Sequence, residues 1–205
     1  MEGVLLLLLT LAFAQEEPVV DPADDPAVMA EYYRLHDEMQ KLAKRQVWPG
    51  VGRYYDEIEA LGVPLTYDDY VAGALAARHE GEVMKAYERL QAAARIDGTR
   101  EVIEWLWSID TAYGRVTLST EPVEPSTLEI ASMPMLPDQR AAVEAAIRQV
   151  EETGTYDGML PAGEYTFAGQ LFTVTPGPKE VAILVKPAPK RGHPDDEEGA
   201  RRRER

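Results

Sequence analysis

The sequence predicts an α+β fold: a run of short helices first, then a small, mostly antiparallel β module that contains one helix. Three observations carry that expectation. Between residues 27 and 112 apolar side chains return at three- and four-residue steps, the period of a helix face. From about residue 115 the period falls to two, in 115–120 and 127–131, the period of a strand. Gly62, Gly81, Gly98 and Gly154 stand where the apolar runs stop, as helix-ending glycines do.

The chain begins with a different pattern. Residues 4–11 are aliphatic except for Thr10, and Ala12-Phe13-Ala14 precedes the polar Gln15-Glu16-Glu17. A short apolar core and an A-x-A site form the pattern of a cleaved secretory signal. The stretch is too short for a bilayer, which needs about 20 apolar residues. The head lacks Lys and Arg and carries Glu2, so only the amino terminus adds positive charge. The expectation is a signal peptide over 1–14 and a mature chain that starts at Gln15, has no transmembrane helix, and is periplasmic or secreted. With no Cys in the chain, a lipid anchor on a cysteine is excluded and no disulfide can form. Residues 15–26, QEEPVVDPADDP, hold three prolines and five acids and read as a flexible or extended acidic linker.

The helical part is expected over 27–112. Met29, Tyr32, Tyr33, His36, Met39 and Ala43 share one face; Tyr54, Tyr55, Ile58 and Leu61 continue on a second helix. Thr66, three residues before Asp69, reads as a capping box for the next helix. After Gly81 comes a stripe of Val83, Ala86, Tyr87, Leu90, Ala93 and Ala94. Thr99 caps a helix carrying Val102, Ile103, Trp105, Leu106, Trp107 and Ile109. Its apolar residues lie on more than one side, which predicts a helix buried on both faces, wedged between the helical part and the rest of the chain.

The module expected over 113–186 has strands at 115–120, 127–131 and 180–185 and one helix opened by Pro137-Asp138 and closed by Gly154. It also has a hairpin of 164–167 and 171–175 about a loop of Ala168-Gly169-Gln170. Residues 187–205 combine proline, glycine and charge and are expected to be disordered.

Residues 67–97 resemble a tetratricopeptide repeat. Tyr70 stands at the first large position, Ala74 at the small one, Gly81 at the turn, then Ala86, Leu90 and Ala93 at the small, large and small positions of the second helix. Gly73 replaces the usual Leu, and Gly98 stands near the place of the closing Pro. A weaker copy upstream sets Trp48, Tyr55 and Ile58 against Val83, Leu90 and Ala93 at a constant offset close to the repeat length of about 34. Pro49 and Gly50 make its bend irregular. The resemblance implies a scaffold for protein or peptide binding, with Val71, Leu75 and Arg78 on the inner helix, although about three repeats are needed before a full groove forms. Residues 160–167, LPAGEYTF, more vaguely resemble a turn and strand of PEGA-type β modules, which implies no catalytic residue.

Composition narrows the partners. The net charge is −15; once six tail bases, five tail acids and Glu2 are set aside from the 21 basic and 36 acidic residues, 15 basic and 30 acidic remain. Such a surface repels phosphate backbones and anionic lipid, which argues against nucleic acid. Phosphate-cradling glycine loops, paired-histidine metal helices and nucleophile elbows are absent. His36 falls on an apolar face and reads as a core or edge histidine; His79 beside Glu80 and Glu82 suits a helix C-terminus better than a metal site. Asp68-Asp69 suit a helix start. Trp105 and Trp107, about 200° apart around their helix, are both expected to be buried; one left exposed would instead be a partner anchor. The expectation is an exported, non-catalytic interaction or scaffold protein with no cofactor and a protein or cell-envelope partner. Its competitor is a divergent enzyme or metal-binding protein with an unrecognised site.

Overall fold

The computed structural model describes residues 21–186. The expected signal over 1–14, the first part of the acidic linker and the charged tail over 187–205 lie outside the described residues. The fold is α+β. Five consecutive helices, α1 (Pro26–Lys44), α2 (Trp48–Ala60), α3 (Tyr67–Glu80), α4 (Val83–Ile96) and α5 (Arg100–Ala112), precede β1 (Tyr113–Thr120) and β2 (Leu128–Ile130). Then come α6 (Pro137–Thr153), β3 (Thr155–Pro161), β4 (Gly163–Phe167), β5 (Gln170–Val174) and β6 (Gly177–Val185).

Local chemistry sets the helix ends. The acidic stretch expected to be a linker is ordered at its end: Asp21 and Asp25 accept from the backbone amides of Ala23 and Ala27, and Pro22 and Pro26 supply the φ needed for a one-turn 3-10 helix (Pro22–Asp24) and for the start of α1. Thr66 and Asp69 form the expected capping box of α3, and Thr99 caps α5 through the Val102 amide. Gly81 ends α3 at φ +84 and lies so close to α6 that a Cβ would fall 2.3 Å from the Ala141 carbonyl oxygen, so both its conformation and its lack of a side chain are required there.

Consecutive helices pack on one another through connections of a few residues, as in helical hairpins. One core lies among α1, α2 and α3, around Leu35, Met39, Val51, Tyr55 and Ile58. Where α2 crosses α3, Gly73 lets the Tyr55 ring sit on the backbone: a Cβ there would stand 2.2 Å from the ring. The Arg89 guanidinium lies over the ring at 3.8 Å and donates to the Gly73 carbonyl at 2.9 Å. Tyr55 thus fills the volume that a larger residue at position 73 would occupy. Ala74, Ala86 and Ala93 are buried beside Leu90.

The β module is two three-stranded sheets. In one, β1 is central, antiparallel to β3 and parallel to β6; in the other, β4 is central and antiparallel to β2 and β5. Alternation in the sequence does not reveal β3, because Asp157 and Gly158 interrupt its apolar pattern and Met159, Leu160 and Pro161 are buried in succession. The β4–β5 turn is tighter than the expected three residues: Ala168 (φ +48) and Gly169 (φ +80) alone form it, and Gln170 already pairs with Phe167. Val116, Leu118, Val143, Val150, Tyr165 and Phe167 build the core of this half.

The expected wedge is corrected. α5 leaves Ile103 50% and Trp107 68% exposed. It packs against α4 with Val102 and Ile109 inside and runs straight into β1, so one side has nothing on it among the described residues. The contact between the halves is shared: α6 and β3 carry most of it, and α5 adds its inner side, with Val102 and Ile109 in the joint core and a contact to β6. A third core joins Ala74, Val83 and Leu90 of the helices to Tyr113, Ala142 and Met159 of the module.

Candidate interaction surfaces

Three places gather exposed or polar side chains that are candidates for a site. The first is the outer face of α5. Ile103 and Trp107 are four residues apart, one helical turn, and both point outward. Trp105, on the other side, is half-buried among the junction residues. Arg100 and Glu104 form a 2.6 Å ion pair on the same exposed helix. Trp is enriched among the residues that dominate protein–protein binding energy.

The second is the inner face of α3. Val71 and Leu75 are half-buried, with Val71 packed at the junction core. Leu75, Arg78 and His79 face Pro137, Asp138 and Ala141 across a hollow of about 400 Å³. Both Nε and Nη2 of Arg78 donate to Asp138 Oδ2, at 3.1 and 2.6 Å. Burial opposes the charge of Asp138, but the Arg78 guanidinium and the backbone amides at the start of α6 outweigh it and hold the carboxyl below the usual range. Beside this pair, burial, with Asp138 adding, pushes the Tyr113 hydroxyl up to about 12. Of the predicted residues, Val71, Leu75 and Arg78 therefore lie together, on the face that α6 of the same chain occupies. Trp105 and Trp107 lie apart from them and from each other.

The third is a polar hub at the start of α3 that sequence patterns alone do not assemble. Asp69 is fully buried. Its Oδ2 accepts from the Tyr32 hydroxyl at 2.8 Å, the Thr66 hydroxyl at 2.7 Å and the Thr66 amide at 2.9 Å. Its Oδ1 lies 2.6 Å from His36 Nδ1. Burial raises the cost of the carboxylate, but the hydrogen bonds from Thr66, His36 and Tyr32 prevail and keep its pKa below the ordinary aspartate value. The hub ties α1 to the cap of α3, and His36 is the edge histidine of that joint. A hint was present in the sequence: Asp69 shares a helix face with Ala72, Gly73 and Ala76, all of which are buried.

His79, Glu80 and Glu82 do not converge. His79 stacks on Trp48, ring centroids 4.7 Å apart and nearly parallel. Glu80 turns toward Gly52, and Glu82 pairs with Lys85 at 2.9 Å. Burial, with Glu82 and Asp56 adding, raises the Glu80 carboxyl above its ordinary value. Glu80 and Glu82 border a cleft of about 610 Å³ whose far wall is α6 and β3, with Arg148, Glu152 and Asp157 on it. Its charges are mixed, and among the described residues no three His, Cys, Asp or Glu side chains are set to hold a metal ion. Compared with protein families, with curated proteins and with solved structures, the chain has no match.

Proposed function

We propose that this is an exported, non-catalytic interaction protein that binds a protein or cell-envelope partner, and that Trp107 is the anchor of the binding surface. The exposure of Trp107 beside Ile103 is the observation that carries the reading: an indole 68% exposed on the last helix of the array holds apolar area that a partner removes from water. The tetratricopeptide-repeat resemblance supports it. Small buried residues sit where the repeat wants them, at Ala74, Ala86 and Ala93, and α2 and α4 start at the equivalent positions Trp48 and Val83. In such an array α5 is the first helix of a third unit, and the chain continues from it into β1 rather than into a second helix, leaving the Ile103–Trp107 side of α5 exposed. The inner face of α3 is not the binding groove in this reading, because α6 lies on it. The PEGA-type resemblance adds an envelope setting but no site. Export rests on the pattern of residues 1–14 and is tested by N-terminal sequencing of protein recovered outside the cytoplasm, where the first residue should be Gln15.

The binding reading is tested by placing a photo-crosslinking amino acid at position 107 and at the exposed Glu144 on α6, in native envelope fractions, with mass spectrometry of the adducts. Adducts specific to position 107 are expected. The same adducts from both positions, or none from 107, would refute it.

A further inference from the structure

We infer that the free edge of β6 is a strand-addition surface, and that its occupant is the same strand of a second copy of this chain, laid antiparallel about Ile183. β6 is an outer strand of its sheet; β1 holds one side, and among the described residues nothing pairs with the other. The Val185 carbonyl turns toward the β1 side, where it accepts from the Glu121 amide at 2.9 Å. Backbone groups alternate along a strand, so residues 181, 183 and 185 bond inward, and 180, 182 and 184 present their amides and carbonyls to the open edge.

Natural edge strands carry devices that prevent pairing: charge, proline, a bulge, or a covering element. The opposite outer strand, β3, has α6 packed over it. β6 touches α5, and its charges and proline stand only at its ends. Val181-Ala182-Ile183-Leu184-Val185 is five apolar residues without interruption. Val181, Ile183 and Val185 point to the core yet stay only partly buried, and Leu184 on the outer face is 54% exposed. The uncharged stretch is bracketed by Pro178 and Pro187, which have no amide hydrogen and limit any added strand to 179–186.

Within that window the strand complements itself. With Ile183 opposite its own copy, residues 182 and 184 pair across the edge, both with outward backbone groups, so the hydrogen-bond phases agree. Val181 meets Val185 on the core face, a β-branched pair of the stabilising kind. Glu180, which accepts from the Thr117 hydroxyl at 2.9 Å, and Lys186, which pairs with Glu121 at 3.0 Å, are both exposed on the outer face and meet across the edge, twice per dimer by symmetry. An edge that pairs opposite charges at both ends and apolar residues between them fits its own copy.

Sedimentation equilibrium of the purified full-length chain tests this. A concentration-dependent dimer is expected. Glu180→Lys alone or Lys186→Glu alone sets like charges opposite each other twice and should weaken the dimer about tenfold. Combining the two should restore it. Ala182→Pro removes an outward amide while sparing the ladder to β1, as an edge strand tolerates, and should abolish dimerisation. A chain that stays monomeric would overturn the inference. So would a dimer indifferent to both single charge changes, or a double variant no tighter than the singles; the charge series decides the question even where Ala182→Pro fails to fold.

Discussion

The tightest contact in the helical half yields a prediction of sign. Gly→Ala inside an exposed helix ordinarily stabilises by about 1 kcal/mol, because alanine has less backbone entropy to lose. At Gly73 the structure reverses this. The added Cβ would stand 2.2, 2.5 and 2.8 Å from three atoms of the Tyr55 ring. The ring is held in place: Tyr55 is 1% exposed and the Arg89 guanidinium lies over it at 3.8 Å. Overpacking of a core costs about 1–3 kcal/mol, at the upper end where the obstacle is a held ring rather than a flexible side chain. Less the helix gain, Gly73→Ala should destabilise by about 2 kcal/mol, which for a chain of this size lowers Tm by about 4–8 °C. Gly52, buried in α2, is the control. Its Cβ would meet only the end of the Glu80 side chain, at 3.3 Å, and that end can shift. Gly52→Ala should be neutral or stabilise by up to about 1 kcal/mol. Thermal melts of the two variants, with Tyr55→Leu added to Gly73→Ala to relieve the clash, measure all three effects. Equal shifts for the two alanines, or no recovery on shrinking Tyr55, would refute the account of the α2–α3 crossing.

Asp69→Asn should cost about 2–4 kcal/mol, since it removes the charge that four donors converge on. Because the folded carboxyl titrates below its unfolded value, the stabilisation is complete above the ordinary aspartate range and disappears as pH falls through the folded pKa; a pH series of urea melts should show this acid loss in the parent and not in Asp69→Asn. Trp107→Ser should leave urea stability within about 0.5 kcal/mol and remove the position-107 partner adducts, whereas Trp105→Ser should destabilise the fold. Arg78→Met should weaken the hold of α6 on α3, seen as faster amide exchange at the start of α6, with the first core unaffected.

The elements are legible where short-range chemistry decides them. Thr66 with Asp69, Thr99 with Val102, and the turn glycines 81 and 154 each act within a few residues, and the structure uses them as the sequence suggests. The strand β3 is not legible, because its partner β1 is some forty residues upstream and its own pattern is broken by Asp157 and Gly158. The Asp69 hub is half legible: the cap is local, but Tyr32 and His36 are 37 and 33 residues away. The exposure of Trp107 runs against the expected burial because periodicity reports how apolar a helix is and not how many elements exist to cover it. The helix from 99 to 112 carries apolar residues around more of its circumference than α4, β6 and the shared core cover, and Ile103 and Trp107 are left outside.

That mismatch also relocates the joint between the two halves. A buried α5 would have coupled helices and strands through the tryptophans. Instead only the inner side of α5, with Val102, Trp105 and Ile109, reaches the shared core, and the coupling also runs through α6, whose start is fixed by Arg78 and whose backbone lies against Gly81, and through Met159 of β3 and Tyr113 of β1. This arrangement puts the inner face of α3, the place a helical-repeat scaffold offers to a ligand, under the chain's own helix. Among the surfaces that remain open are two the internal joint does not use, the Ile103–Trp107 face of α5 and the outer edge of β6. The two lie on different elements and differ in kind, one an aromatic helix face suited to a foreign partner, the other a self-complementary strand. A protein so built presents two helix faces in one symmetric dimer, and bivalency of that sort raises effective affinity without any new contact at either site.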